Sequence, residues 1–292
     1  MDKIINVTGG KGGNAHLLLG QEKTALVDCG MAYCASALIG NIRQELGGRV
    51  LDYLLISHSH YDHIGAIPYL KAEWPDSKVL GAEYDKRVLT SVNALESIRT
   101  LSMLAAQLYG ADCIEEYDDA LLIVDTIIRG GDVLHLGNLD VNVLETPGHT
   151  KSSLSFLVNK NTLFASESTG YMSKSGKIYP AFITSRTEAI NSIYKCQKLN
   201  PQFIISPHYG LVNKEDTSDY WRNCILAIEE TEKFISCLAE QGYDEEQIFT
   251  EYEKKFRDEE SRLEQPFNAF KLNTQPMIQT ILSTRVHPSK GQ

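Results

Sequence analysis

Three of the chain's eight histidines fall within six residues, His58-Ser59-His60-Tyr61-Asp62-His63. They follow directly on Leu51–Ser57, a short run of Leu and Ile bounded by polar residues, which suits a buried strand. A strand end holds side chains rigidly over a cleft. His58 and His60 are two positions apart, so on an extended chain they point to the same side and can reach one metal ion. Asp62 and His63 lie beyond, where the chain must turn, within reach of a second ion. Imidazole together with carboxylate suits zinc, iron or manganese. Two such ions ~3.5–4 Å apart clamp the attacking and leaving oxygens of a hydrolysis. The competing reading is a solvated polar loop, but a tag-like histidine tract would be terminal and would not follow a strand.

The rest of the chain reads as strands with interspersed helices, then as helices alone. His16–Leu19 and Thr24–Val27, with a turn at Gly20–Lys23, predict a hairpin that ends at Asp28-Cys29-Gly30. A helix is expected over roughly 35–46. From Tyr84 to Leu108 the apolar residues Val88, Val92, Leu95, Ile98, Leu101, Leu104 and Leu108 recur at three or four, one face of a helix. Strand patterning returns at 133–136, 139–144, 154–158, 162–165 and 203–206. After about Val212 it stops. Trp221, Cys224, Ile225, Ile228, Ile235 and Leu238 mark an amphipathic helix. A second helix opens at Asp244 with Gln247 three residues on, resembling a capping box, and a third is expected to start near Pro276. The boundary between the two parts is placed near residue 213.

His58-x-His60-x-Asp62-His63 behind a buried strand resembles the signature of the metallo-β-lactamase fold superfamily. Four further segments resemble that family's motifs in order: Leu26-Val27-Asp28-Cys29-Gly30, Thr146-Pro147-Gly148-His149-Thr150, Phe164-Ala165-Ser166-Glu167-Ser168 and Ser206-Pro207-His208-Tyr209-Gly210. The resemblance covers roughly residues 1–212. It implies an α/β fold, an αβ/βα four-layer sandwich of two β-sheets with helices outside and the metals at one edge. It implies that His149 completes a first metal site with His58 and His60, and that His208 completes a second with Asp62 and His63. Asp28 would orient an imidazole from behind. The family's bridging acid normally follows a glycine as Asp; here Ser166-Glu167 stands in its place. Glutamate is one methylene longer. Glu167 is expected as the bridging ligand, the alternative being a site that holds one metal without it.

A helical insertion at about 84–128 and helices over 214–292 make the layout similar to the quinolone-signal-response and glyoxalase II-like thioesterases, whose tail helices wall the entrance. Fold alone does not fix function. The expectation is a binuclear hydrolase with two divalent ions, zinc foremost and iron or manganese as alternatives. A metal-bound hydroxide would attack a small ester or thioester, with Asp62, His58 and His60 as catalytic residues. A lactone or phosphodiester is the alternative within the fold. An iron-bearing redox domain or a regulatory protein is the alternative of another class. The redox relatives carry a flavin domain for which the chain after residue 213 is too short, and tend to replace a first-motif histidine by Glu, whereas His60 is intact.

The remaining features narrow the setting. A net charge of −10 disfavours nucleic acid. No apolar run approaches the ~20 residues that span a bilayer, and the amino terminus lacks a signal peptide's apolar core. Six cysteines without a CxxC pair read as free thiols. A cytoplasmic protein acting on a small molecule is expected, with a homodimer as one option. Gly9-Gly10-Lys11-Gly12-Gly13 fails the spacing of a phosphate loop and reads as a flexible turn near the site. His16 reads as a structural histidine and His135 as solvent-facing, while His287 carries little weight. Tyr171 and Tyr209 could polarise a carbonyl but fit packing better; Tyr220 and Trp221 could line a pocket, although Trp221 fits a helix core equally well. Asn6-Val7-Thr8 matches a glycosylation sequon, without meaning in an unsecreted chain.

Overall fold

The computed structural model describes residues 3–214 and 216–286. One six-stranded sheet holds, in spatial order, β1 (Ile4–Asn6), β2 (His16–Leu19), β3 (Thr24–Val27), β4 (Tyr53–Leu55), β5 (Lys78–Gly81) and β6 (Thr126–Ile127). A second holds β7 (Val133–His135), β8 (Asp140–Glu145), β9 (Leu154–Val158), β10 (Thr162–Phe164), β13 (Phe203–Ser206) and β14 (Gly210–Leu211), in the spatial order β14-β13-β10-β9-β8-β7. A two-stranded ribbon, β11 (Tyr171–Met172) with β12 (Ile178–Tyr179), stands apart from both. The expected hairpin forms, with His16 opposite Val27 and Leu19 opposite Thr24.

Three buried layers stack these parts. Leu18, Ala25, Val27, Leu55 and Leu80 of the first sheet meet Val141, Val143, Phe156, Phe164 and Ile205 of the second, so the two sheets pack face to face. The outer face of the first sheet is covered by α1 (Ala35–Leu46), α2 (Tyr61–Ile64), α3 (Ile67–Glu73), α4 (Glu83–Val88) and α5 (Val92–Leu108), through Leu38, Ile42, Ile64, Ile67, Leu70 and Ile98. The outer face of the second is covered by α6 (Arg186–Lys198), α7 (Thr217–Glu240), α8 (Glu245–Phe256), α9 (Glu259–Glu264) and α10 (Phe267–Val286), with Ile193, Cys224, Ile228, Ile248 and Ile278 buried. Helix, sheet, sheet, helix is the expected four-layer order. Strands such as β2, β3 and β9 are buried along their whole length, which is why they read as continuous apolar runs rather than alternating ones.

Several local expectations meet a different structure. The periodic segment from Tyr84 is two helices, broken over Leu89–Ser91, and the segment expected as a helical insertion ends in strand β6. Pro276 lies inside α10 instead of opening a helix; α10 starts nine residues earlier, at Phe267. Helix α6 was not expected. Its composition is polar, and only a narrow stripe of Ala189, Ile193 and Cys196 reaches the core. The capping box at Asp244 and Gln247 is present with both of its hydrogen bonds. All six cysteines are free. No helix among the described residues is long and apolar enough to cross a membrane.

Candidate metal centre

The first motif leaves the end of β4, and two of its histidines, His58 and His63, are held from behind. Beyond Leu55 the chain runs extended through His58 and His60, then turns into α2 at Tyr61. His58 and His63 are buried. Asp28 sits at the end of β3 in the left-handed region, φ 54°, a conformation that Asp tolerates better than most residues. Its Oδ1 accepts from the Ser57 amide at 2.7 Å, and its Oδ2 accepts from His63 Nδ1 at 2.9 Å. This fixes the His63 tautomer and aims Nε2 inward. Ser57 Oγ lies 3.0 Å from His58 Nδ1, which aims that ring's Nε2 the same way.

The other three side chains come from the second sheet. His149 follows Gly148, where φ is +139° and a Cβ would stand 2.6 Å from the Ala189 backbone, so only glycine fits between this turn and α6. His149 Nδ1 donates to the Ala181 carbonyl at 2.5 Å. Glu167 opens a short 3-10 turn behind β10. His208 follows β13 with φ +61°, a left-handed residue of the kind found at functional sites, and its Nδ1 donates to the Gly12 carbonyl. The glycine-rich turn is thus a support for the site.

All seven residues named from the sequence converge. Their ligand atoms form two groups, His58, His60, His149 and Glu167, and Asp62, His63, Glu167 and His208, with every atom of a group within 4.8 Å of the others. Glu167 belongs to both. Its Oε2 lies 2.9 Å from His149 Nε2, and its Oε1 lies 2.8 Å from His63 Nε2 and 2.6 Å from His208 Nε2. The extra methylene therefore lets the carboxylate present one oxygen to each group. Asp62 Oδ2 is 3.6 Å from His208 Nε2 and 3.8 Å from His63 Nε2.

In the metal-free chain the two groups of imidazoles differ in protonation. Burial, helped by the neighbouring imidazoles, pushes His58 well below its ordinary pKa and His60 down to about 3, so both offer lone pairs. At His63 and His208 burial acts the same way, but the surrounding carboxylates outweigh it: Asp28 and Asp62 hold His63 well above its ordinary value, and Glu167 lifts His208 to about 9. Burial works against the charge of Glu167, yet His149 and His208 hold its carboxyl well below the usual range. His58 Nε2 is buried without any hydrogen-bond partner. Such an orphan costs ~1–3 kcal/mol, and a cation among these rings would satisfy it. Five imidazoles and two carboxylates form a donor set that fits a borderline divalent ion.

A cavity of about 720 Å³ opens over this cluster. His60, Asp62, His149, Glu167 and His208 form its floor, α4 and α5 one wall, and α9 and α10 another. Tyr171 lines it, its ring edge-on to His208 at 5.6 Å and stacked on Tyr179. The other candidates lie elsewhere. His16 is buried edge-on against Phe164, its pKa down to about 4 through burial, as expected of a structural histidine. His135 is exposed and paired with Asp140. His287 lies outside the described residues. Tyr220 and Trp221 are core residues; Tyr220 donates to Ser206 Oγ at 3.0 Å. Tyr209 packs against the core beside the helices.

One buried acid escaped the sequence reading. Asp85, on α4, accepts from Ser152 Oγ at 2.7 Å. Burial raises its carboxyl to about 6, against the opposing pull of hydrogen bonds from Ser152 and Ser59. It joins the loop carrying His58 and His60 to the loop carrying His149. Nothing in the motif spacing marks it.

A family model described as the metallo-beta-lactamase superfamily matches residues 8–208. The metallo-beta-lactamase fold-containing protein ST1585 of Sulfurisphaera tokodaii is 24% identical over 214 residues, 72% of this chain and 77% of its own. Its crystal structure superposes with a TM-score of 0.59 over 76% of this chain and 86% of that one, at 23% identity. A hydroxyacylglutathione hydrolase of Haemophilus ducreyi is 31% identical, over only 40% of this chain and 35% of its own length. The family protein TTHA1429 of Thermus thermophilus covers 100% of this chain and 96% of its own with a TM-score of 0.65, at 15% identity. With its four-layer sandwich, the chain belongs to the metallo-beta-lactamase superfamily, whose members are generally metal-dependent hydrolases.

Proposed function

We propose that this protein is a binuclear metal-dependent hydrolase of an ester or thioester, with zinc as the foremost metal. His58, His60 and His149 would hold one ion, Asp62, His63 and His208 the other, and Glu167 both. The observation that carries this reading is Glu167, one carboxylate oxygen turned to each group of imidazoles. Two bound ions would lower the pKa of water towards ~7 and so supply a nucleophile at neutral pH, with Lewis-acid stabilisation of the developing oxyanion.

The chain's own residues prepare that chemistry. Asp28, the Ala181 carbonyl and the Gly12 carbonyl each accept a hydrogen bond from an imidazole Nδ1–H, so the Nε2 atoms of His63, His149 and His208 face inward; at His63 and His208 the Nε2 proton that Glu167 holds is displaced when a cation arrives. Residues of α4, α5, α9 and α10 wall the cavity in which a substrate would lie. The thioester choice rests on the relatives named hydroxyacylglutathione hydrolases and is finer than the fold.

The test is a panel of acyl thioesters, carboxylic esters, lactones and phosphodiesters, assayed with zinc-loaded protein. Thioester or ester hydrolysis that His60→Ala reduces at least a thousandfold, on the scale of metal-assisted catalysis, is the expected result. Turnover of phosphodiesters alone, or activity indifferent to His60→Ala, would overturn it.

A further inference from the structure

The cavity is much larger than the reacting group of a small ester requires. Its volume of about 720 Å³ lies within the ~300–1,000 Å³ of sites that enclose a drug-sized ligand. Its walls divide by chemistry. Away from the metal-binding side chains, α5 contributes Ala94, Ile98 and Leu101, and α9 and α10 contribute Leu263, Ala269 and Leu272. Leu263 and Leu272 are 71% and 54% exposed, so this apolar surface runs out of the cavity into solvent. Exposed leucines on a concave, partly enclosed surface mark a binding site more often than chance scatter.

The charged groups of the lining are of both signs, three lysines and three carboxylates. The chain as a whole carries −10, yet the cations of the cavity wall are Lys11, Lys151 and Lys174, and none makes an ion pair among the described residues. Two of the wall's three acids, Asp62 and Glu167, belong to the metal cluster. The third, Glu260, accepts from the Ser175 amide at 3.1 Å and from its hydroxyl at 2.7 Å. Two of the lysines neighbour the site in sequence and line the same cavity: Lys11 precedes Gly12, whose carbonyl holds His208, and Lys151 comes two residues after His149. Lys174 sits in the turn between β11 and β12. Exposed cations without an ion partner along the rim of a cleft attract anions to it.

We propose that the substrate is an anionic amphiphile, an acyl ester or thioester whose apolar chain lies between α5 and α10 and whose negatively charged group is read by Lys11, Lys151 and Lys174. This rests on the hydrolase reading for the ester or thioester bond, but its recognition elements are independent of turnover.

The experiment is calorimetric titration of the zinc-loaded protein with hexanoate, octanoate and decanoate, and with decyltrimethylammonium as the cationic control. Affinity should rise about three- to fourfold per added methylene, the yield of burying that group. The cation should bind at least tenfold more weakly than decanoate. Leu263→Ser with Leu272→Ser, both at exposed positions that the fold does not need, should flatten the chain-length dependence. A metal alone attracts any carboxylate, so the triple variant Lys11→Ala, Lys151→Ala, Lys174→Ala decides the charge reading: it should weaken all three carboxylates about tenfold. Affinity independent of chain length, or unchanged in the lysine variant, would overturn the proposal. Binding as described without hydrolysis of any ester or thioester would uphold recognition of an anionic amphiphile and defeat the hydrolase reading; hydrolysis of short neutral esters with no chain-length effect on binding would do the reverse.

Discussion

A methyl group on Gly13 would stand 1.9 Å from the Asp62 carbonyl oxygen, closer than any real contact. Gly13→Ala must therefore push the glycine-rich turn away from α2, and with it the carbonyl of Gly12 that holds His208. We expect zinc affinity to fall at least tenfold, the scale seen when a metal ligand loses its orienting partner, as read by competition with a chromogenic chelator. Unchanged affinity would show that the turn does not support the site. Asp85 gives the stability a dependence on pH. Its carboxyl ionises near pH 6 in the folded chain rather than near the ordinary 3.8, so between those values the folded state binds the proton more tightly than the unfolded one. Its contribution to stability is thus fully present below about pH 4 and is lost as pH rises through about 6. Asp85→Asn does not titrate. Chemical unfolding at pH 4 and pH 7 should show the variant gaining on the wild type by up to ~3 kcal/mol at the higher pH. A stability difference that stays flat across that interval would contradict the burial argument.

Helix α10 carries Pro276 in its interior, where the ring removes one backbone hydrogen bond and crowds the preceding turn. Pro276→Ala should stabilise the protein by about 1–2 kcal/mol, the helix penalty less the entropy that proline removes from the unfolded chain, and raise the melting temperature. A lower melting temperature would mean that the turn at Pro276 is itself packed. The same residue shows where element patterns are legible and where they are not. Proline is tolerated at a first helical position, so Pro276 read as a start; the true start at Phe267 has no strong cap signal and was overridden by the packing of Phe270, Met277 and Ile278. Strands β2, β3 and β9 were legible because both of their faces are buried and their sequences are mostly apolar. Helix α6 was not, because four buried residues, Ala189, Ser192, Ile193 and Cys196, are enough to seat it, with Ala189 against the Gly148 turn. The histidine motifs were legible as sequence; the partners that fix their tautomers, Ser57, Ala181 and Gly12, act through a hydroxyl or backbone carbonyls that no pattern of side chains reveals.

At the scale of the whole molecule, the site draws its residues from both sheets, and its walls from helices packed on both outer faces. Ile278 is fully buried in the layer beneath the second sheet. Ile278→Ala should cost ~2–5 kcal/mol of stability while leaving the metal content per folded chain unchanged, since none of its neighbours is a candidate ligand. Loss of metal without loss of fold would show a coupling between the helical layer and the centre that the contacts do not contain. The central claim is that Glu167 joins the two groups of imidazoles around two ions. Elemental mass spectrometry on protein purified without added metal, comparing wild type with Glu167→Ala, tests it most directly. Two equivalents of zinc or iron per chain in the wild type, reduced in the variant, are expected. One equivalent or none, the same in both proteins, would contradict the two-metal mechanism even though the fold would stand.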